Sequence, residues 1–357
     1  MMNSRAGASR RAFQDVSNSN RIGAVNAKQP VTKRAQGVKT RSMSLGKDGS
    51  RDVAPVRSGA FTRTTAEESA MVQQRSAINA DPNSYQMTGT VDNIDARDQN
   101  DPLCVTSYVN DMYEHFRIKE TITSVRPLYM ETQLHINEKM RSILVDWLIE
   151  VHLKFKLVPE TLYLTVNLID RYLERAEVSR AKLQLVGVAS LLVASKYEEI
   201  YPPELRDLVY ICDRAYTRQD IIDTEEKILK TLEYKITIPS AHAFLVRMLK
   251  AGHADRKIVQ LSCYLLDSTL LSYNLLHYLP SQLAAAAVYI ARRNVGRNGW
   301  SPTLLKYASY CEEEVIPIAR AILNEKSSLN PELKAVNKKY ANHRYGGVAS
   351  TVFLCDF

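Results

Sequence analysis

Leu183-Gln-Leu-Val-Gly-Val-Ala-Ser-Leu-Leu-Val-Ala-Ser-Lys196 is apolar almost all round until its final residue. A helix with no polar face is one enclosed by other helices, so this stretch predicts the centre of a helical bundle. Its exit runs Tyr197-Glu198-Glu199-Ile200-Tyr201-Pro202-Pro203. A lysine leaving such a helix beside two carboxylates is either half of a structural ion pair or a docking point for another protein's backbone.

Working outward, the same helical punctuation recurs. Asp101-Pro102 opens a helix through Tyr108, Met112, His115 and Phe116, and from Asn137 helix follows helix across short loops. Pro159-Glu160 starts one that runs to about Glu174, and Ser179 caps the apolar one. Pro202-Pro203 opens a short helix, and Thr217 with Asp220 makes an N-cap for another that ends near Leu232. Pro239-Ser240 divides the region, and helices are then expected over about 241–250, 255–272, 281–294, 302–309 and 312–326. No strand alternation is present.

The two halves repeat. Leu164-x3-Leu168-Ile169-Asp170 answers Leu261-x3-Leu265-Leu266-Asp267, and Gln184-Leu185 before small residues answers Gln282-Leu283 before Ala284 to Ala287. Similarity at one long period means one structural unit used twice, here a five-helix bundle around a small-residue central helix. In the second copy the position of Lys196 is Asn294, so the lysine belongs to one copy only.

Composition excludes several classes. There is no apolar run long enough to span a membrane and no apolar signal core after Met1, so an intracellular protein is expected. Cys104, Cys212, Cys263, Cys311 and Cys355 are scattered, and the histidines lack paired spacing, which argues against a zinc site, a disulfide framework or any cofactor. Glycine-rich phosphate loops and the nucleophile-elbow motif are missing as well. Residues 1–63 hold 13 Lys/Arg against 3 Asp/Glu, leaving 34 against 36 for the rest. The basic charge is therefore in the first part, and residues 1–100, rich in polar residues and poor in aromatics, are expected to be disordered.

Met140-Arg-Ser-Ile-Leu-Val-Asp-Trp-Leu-Ile-Glu-Val151 carries apolar residues over well over half of its helical circumference. Met140, Leu144 and Trp147 fall at i, i+4 and i+7 and form one ridge. Two readings are open: a core-facing ridge, or an exposed peptide-docking groove with Trp147 as its aromatic anchor. Arg141 and Asp170, charges on apolar helices, are expected to pair as a mostly buried structural ion pair.

Met-Arg-x-Ile-Leu-Val-Asp-Trp, Lys-Leu-Gln-Leu-Val-Gly and Ser-Lys-Tyr-Glu-Glu-Ile-Tyr-Pro-Pro together resemble the cyclins, and specifically mitotic cyclins of the B type, over about residues 101–330. The resemblance implies an all-α fold of two tandem five-helix cyclin boxes (101–238 with an extra N-terminal helix, then 239–330) that binds and activates a cyclin-dependent kinase. It implies a non-enzymatic regulatory subunit in nucleus and cytoplasm that controls entry into mitosis. Lys196 and Glu225 match the pair that contacts the kinase's C-helix region, with Leu229, Tyr234 and Ile236 as apolar contacts and Met112 and His115 as further ones. Met140, Leu144 and Trp147 match the family's patch for Arg-x-Leu segments of substrates and inhibitors, with Glu150, Arg180 and Gln184 as its polar rim. Glu150 is a departure, since B-type members often carry a neutral residue there and A-type members a glutamate.

Arg10-Arg-Ala-Phe-Gln-Asp-Val-Ser-Asn18 resembles the destruction box of mitotic cyclins, with Arg10, Phe13, Val16 and Asn18 at the key positions and Phe13 in place of the usual leucine. This implies the anaphase-promoting ubiquitin ligase as a partner, with Lys28, Lys33, Lys39 and Lys47 as acceptors. A rival reading also has tandem cyclin-like repeats: a general transcription factor of the TFIIB kind, its basic arm on nucleic-acid phosphates. The near-neutral region after Arg63 and the lack of an N-terminal zinc ribbon argue against it, so neither nucleic acid nor membrane is an expected partner. The segment from about Asn330 is expected to be irregular, and the sequence assigns it no role.

Overall fold

The computed structural model describes residues 90–353. The expectations placed on residues 1–89, including Arg10, Phe13, Val16 and Asn18, lie outside the described residues. Within them the chain forms α-helices and short 3-10 turns with no strand.

Helix α1 (Val109–Thr123) precedes a first bundle of α2 (Glu138–Phe155), α3 (Pro159–Leu173), α4 (Leu183–Glu198), α5 (Leu205–Ile211) and α6 (Arg218–Thr231). A second follows: α7 (Ala241–Ala251), α8 (Arg256–Thr269), α9 (Pro280–Asn294), α10 (Pro302–Ala308) and α11 (Glu312–Ser328). The starts follow local chemistry. Asn137 accepts the Met140 N–H, Thr217 and Asp220 close a reciprocal capping box, and Ser240 accepts the Ala243 N–H. Pro159, Pro280 and Pro302 sit in first turns, where a missing N–H costs nothing.

α4 and α9 are the two axles. Every residue from Leu185 to Ser195 is buried, and so is every residue from Ala284 to Arg292. Each fully buried Leu or Val there contributes roughly 1.5–3 kcal/mol. Small residues set the spacing: a Cβ on Gly187 would lie 2.8 Å from Leu144 Cδ1, so α2 and α4 approach through that glycine.

Four boundaries differ from the sequence expectation. Ser179 precedes only a 3-10 turn and makes no capping bond, and α4 starts at Leu183. The Asp101-Pro102 signal makes only a 3-10 turn, because Val105 turns left-handed (φ 44°) and the helix restarts at Val109. Residues 92–98 pack rather than staying free: Ile94 is buried and Asp95 accepts a bidentate pair from Arg247 at 2.6 and 2.7 Å plus a bond from Lys250 at 2.7 Å. The segment after Asn330 is not wholly irregular. It forms α12 (Ala335–Ala341), which packs on α2 and α8.

The bundles are tied by buried polar groups. Arg141 Nη1 donates to the Leu270 carbonyl at 3.0 Å, and the Ser142 hydroxyl to that of Leu271 at 2.7 Å. Buried Glu120 of α1 accepts both the backbone N–H and the hydroxyl of Ser281, at 2.9 and 2.7 Å, at the start of α9. Asn167 of α3 donates to the Thr123 carbonyl at the same, C-terminal end of α1.

Candidate functional site

Lys196 lies in the last turn of α4, where the helix dipole favours a cation. Its ammonium donates to both oxygens of Glu225 on α6, at 2.6 and 2.8 Å. The lysine side chain is 50% exposed and the glutamate 13%, so the pair is built on the surface with its cation facing out. The two neighbouring carboxylates have other work. Glu199 accepts the Val158 N–H (2.8 Å) and the Thr161 hydroxyl (2.6 Å) and so closes the start of α3, while burial first, then Glu160 and Glu199, raise the carboxyl pKa of Glu198.

The segment that leaves α4 just after Lys196 displays large apolar side chains. Ile200 is 87% exposed and Tyr201 90%, with Tyr197, Tyr210 and Tyr234 also exposed. Leu229 is half-buried and Ile236 buried. Glu233 and Tyr234 are both left-handed (φ 52° and 57°), and the Tyr234 N–H bonds the Leu229 carbonyl, so the chain reverses after α6 and leaves the tyrosine at the surface. Met112 and His115 are exposed on α1, a separate element that is fastened to the second bundle.

The ridge on α2 is mostly floor. Leu144 and Trp147 are buried (2% and 3% exposed), and only Met140 is half-buried. An open groove with all three side chains displayed is therefore not what the chain presents. Gln184 is half-buried on α4 and Arg180 exposed in the turn before it. Glu150 is half-buried and pairs with Lys338 of α12 at 3.2 Å.

Arg141 and Asp170 form the buried pair, with Nε to Oδ1 at 2.6 Å and Nη2 to Oδ2 at 2.7 Å, and Tyr129 also donates to Asp170. The second copy repeats the arrangement with different parts. Asp267 accepts from Lys339 at 2.7 Å, Tyr340 at 2.8 Å and Tyr163 at 2.7 Å, all buried. Burial opposes ionisation there, yet Lys339 and the two tyrosine hydroxyls hold the Asp267 carboxyl below its ordinary range, and the same pairing raises the lysine. Sequence reading missed Lys339 although it matched Asp267 with Asp170: a second buried carboxylate implied a second buried cation.

Two domain families match this chain: the cyclin N-terminal domain over residues 111–237 and the cyclin C-terminal domain over 239–354. Cyclin-B2-2 of Oryza sativa subsp. indica is 43% identical over 73% of this chain and 64% of its own length. G2/mitotic-specific cyclin-2 of Medicago sativa is 43% identical over 73% of this chain and 80% of its own. The chain spans less than two thirds of the length of several such relatives. A viral cyclin from herpesvirus saimiri shares the fold at a TM-score of 0.55 and 20% identity, over 60% of this chain and 96% of its own. Two bundles around buried axles, matched in order by both cyclin domains and by B-type relatives along most of the chain, place it in the cyclin family, in its B-type mitotic branch.

Proposed function

We propose that this chain is the regulatory subunit of a cyclin-dependent protein kinase, binding and activating the catalytic subunit through the surface around Lys196 and Glu225. The observation that carries the reading is the outward-facing, preformed Lys196–Glu225 pair amid exposed Ile200, Tyr201 and Tyr234. The repeat sharpens it. Asn294, at the matching position of the second bundle, spends its amide on the chain's own Val352 carbonyl at 2.9 Å, whereas Lys196 keeps half of its side chain in solvent.

An active kinase needs its β3 lysine paired with the C-helix glutamate and its activation loop ordered. A rigid helical surface that binds only the inward C-helix shifts the kinase toward that state by its difference in affinity for the two states. The chain supplies no catalytic group in this reading. The axle α4 and the capping box of α6 supply the rigidity, since both contact residues sit on helices whose inner faces are locked in the core.

The same reading assigns the floor of Met140, Leu144 and Trp147 to Arg-x-Leu segments of substrates or inhibitors. It assigns Arg10 to Asn18 to recognition by the anaphase-promoting ubiquitin ligase at mitotic exit, and places the protein in nucleus and cytoplasm at the G2/M transition. The family membership supports these roles, and the half-buried Met140 and Gln184 beside a buried aromatic floor support the second site. The test is Lys196→Ala with Glu225→Ala: kinase capture and histone kinase activity should fall sharply with unchanged helical circular dichroism. Undiminished capture and activity would sink the assignment.

A further inference from the structure

The acidic side of the docking floor is already occupied by the chain itself. Asp146 and Glu150 lie four residues apart on α2, hence on one face. Asp146 accepts the backbone N–H groups of Lys334 (3.3 Å) and Ala335 (2.9 Å) and so closes the first turn of α12. Glu150 takes the ammonium of Lys338, one turn further along α12. Both carboxylates that a basic residue entering this side would meet therefore have partners on α12.

We infer that Lys338 is a specificity-determining residue of the docking surface: it masks Glu150, so that segments are selected by their apolar residues, with an arginine contributing little. The inference rests on the docking reading above and deepens it. The masking is competitive rather than permanent, since the Lys338 side chain is 61% exposed and that of Glu150 28%, and exposed ion pairs of this kind are weak. An incoming guanidinium must either displace the ammonium or share one carboxylate with it, against like-charge repulsion. The position of Lys338 is fixed even so, because its neighbours Lys339 and Tyr340 are anchored in the core on Asp267. α12 therefore keeps the Lys338 backbone beside Glu150, so the ammonium is on hand to compete with any incoming cation.

The experiment uses the full chain with its kinase and two fluorescent peptides, one with a single Arg-x-Leu and one identical except for citrulline, a neutral isostere, in place of arginine. The wild-type protein should bind both within about threefold, and Lys338→Ala should bind the arginine peptide about three- to fivefold tighter while leaving the citrulline peptide unchanged. Lys338→Glu should extend the trend, and salt should erase it. A wild-type preference for arginine above about tenfold, or a Lys338→Ala effect equal for both peptides or absent, overturns the inference while leaving the docking site standing. Failure of both peptides to bind any of the proteins overturns the docking reading, and the inference with it.

Discussion

Replacing Lys339 by methionine keeps most of the apolar stem of a buried side chain and removes its charge together with its hydrogen bond to Asp267. Asp267 would keep the hydroxyls of Tyr163 and Tyr340 at 2.7 and 2.8 Å but lose its one cation, in a site where its own side chain is 5% exposed. Breaking a buried pair by deleting one partner costs about 3–5 kcal/mol. The two remaining hydroxyl donors soften this, so about 3 kcal/mol is expected. For a helical region of this size, about 2–4 °C of melting temperature goes with each kcal/mol, which makes the shift about 6–12 °C.

The pH dependence gives a second handle. In the wild type the Asp267 carboxyl is depressed, so its contribution is present above the unfolded carboxylate range and lost as pH falls below it. In the Lys339→Met variant burial acts without the cation and raises the same group. Its folded form then binds a proton more readily than the unfolded chain, and the deficit should narrow as pH falls from about 7 to about 5. Thermal unfolding followed by circular dichroism reads both effects, and Lys339→Met with Asp267→Asn should recover most of the loss. A melting temperature within about 2 °C of wild type, or a double variant no better than the single one, would refute the reasoning.

Two further outcomes follow from the other charged ties. Burial holds the Asp146 carboxyl up at about 6 despite the N–H groups of Ala335 and Lys334, so the folded protein takes up a proton there before the unfolded chain does. Stability should rise as pH falls from about 7 toward about 4, and Asp146→Asn, which keeps an acceptor, should flatten that slope in urea unfolding; an unchanged slope would remove Asp146 as its source. Asp95 is held down at about 2, first by its hydrogen bonds from Arg247, so its contribution is present above the unfolded value and lost as pH drops toward about 2. Asp95→Ala should cost about 3 kcal/mol and expose residues 90–101 to protease faster than the bundles, and equal cleavage rates would count against this anchor.

The fold was legible where periodicity and punctuation agreed. The apolar run ending at Lys196 announced an enclosed axle, and the matched Asp170 and Asp267 announced a repeat, because a buried helix and a buried carboxylate both leave marks in residue type. The Arg141–Asp170 pair was legible for the same reason: two charges on apolar helices need each other. Ile94 and Asp95 were not legible, since the aspartate's partners Arg247 and Lys250 lie about 150 positions away and a short polar-rich strap has no period of its own. α12 was hidden likewise. It is one short helix rich in lysine, and its stability comes from Asp146, Glu150 and Asp267 on other elements rather than from its own sequence. The floor of Leu144 and Trp147 was half legible, for the sequence placed both on one ridge but left open how deeply Gly187 would let that ridge sink.

Duplication explains why one surface is free and its counterpart is not. Both bundles place a buried aspartate on the second helix and a small-residue axle on the third, so the core problem is solved twice in the same way. The solutions diverge where the chain's own ends intervene. The C-terminal segment brings Lys339 to Asp267 and the Val352 carbonyl to Asn294, so the exit of the second axle is tied to its own chain. At the exit of the first axle, Lys196 is held, among the described residues, by Glu225 alone, with half of its side chain in solvent and Ile200 and Tyr201 almost wholly exposed in the segment that follows. Folding needs an ordered end to each axle, and the second bundle shows that an amide closed by the chain's own backbone suffices. A lysine kept at the surface by a partly buried glutamate, beside uncovered apolar side chains, is the arrangement that the proposed kinase-docking surface calls for.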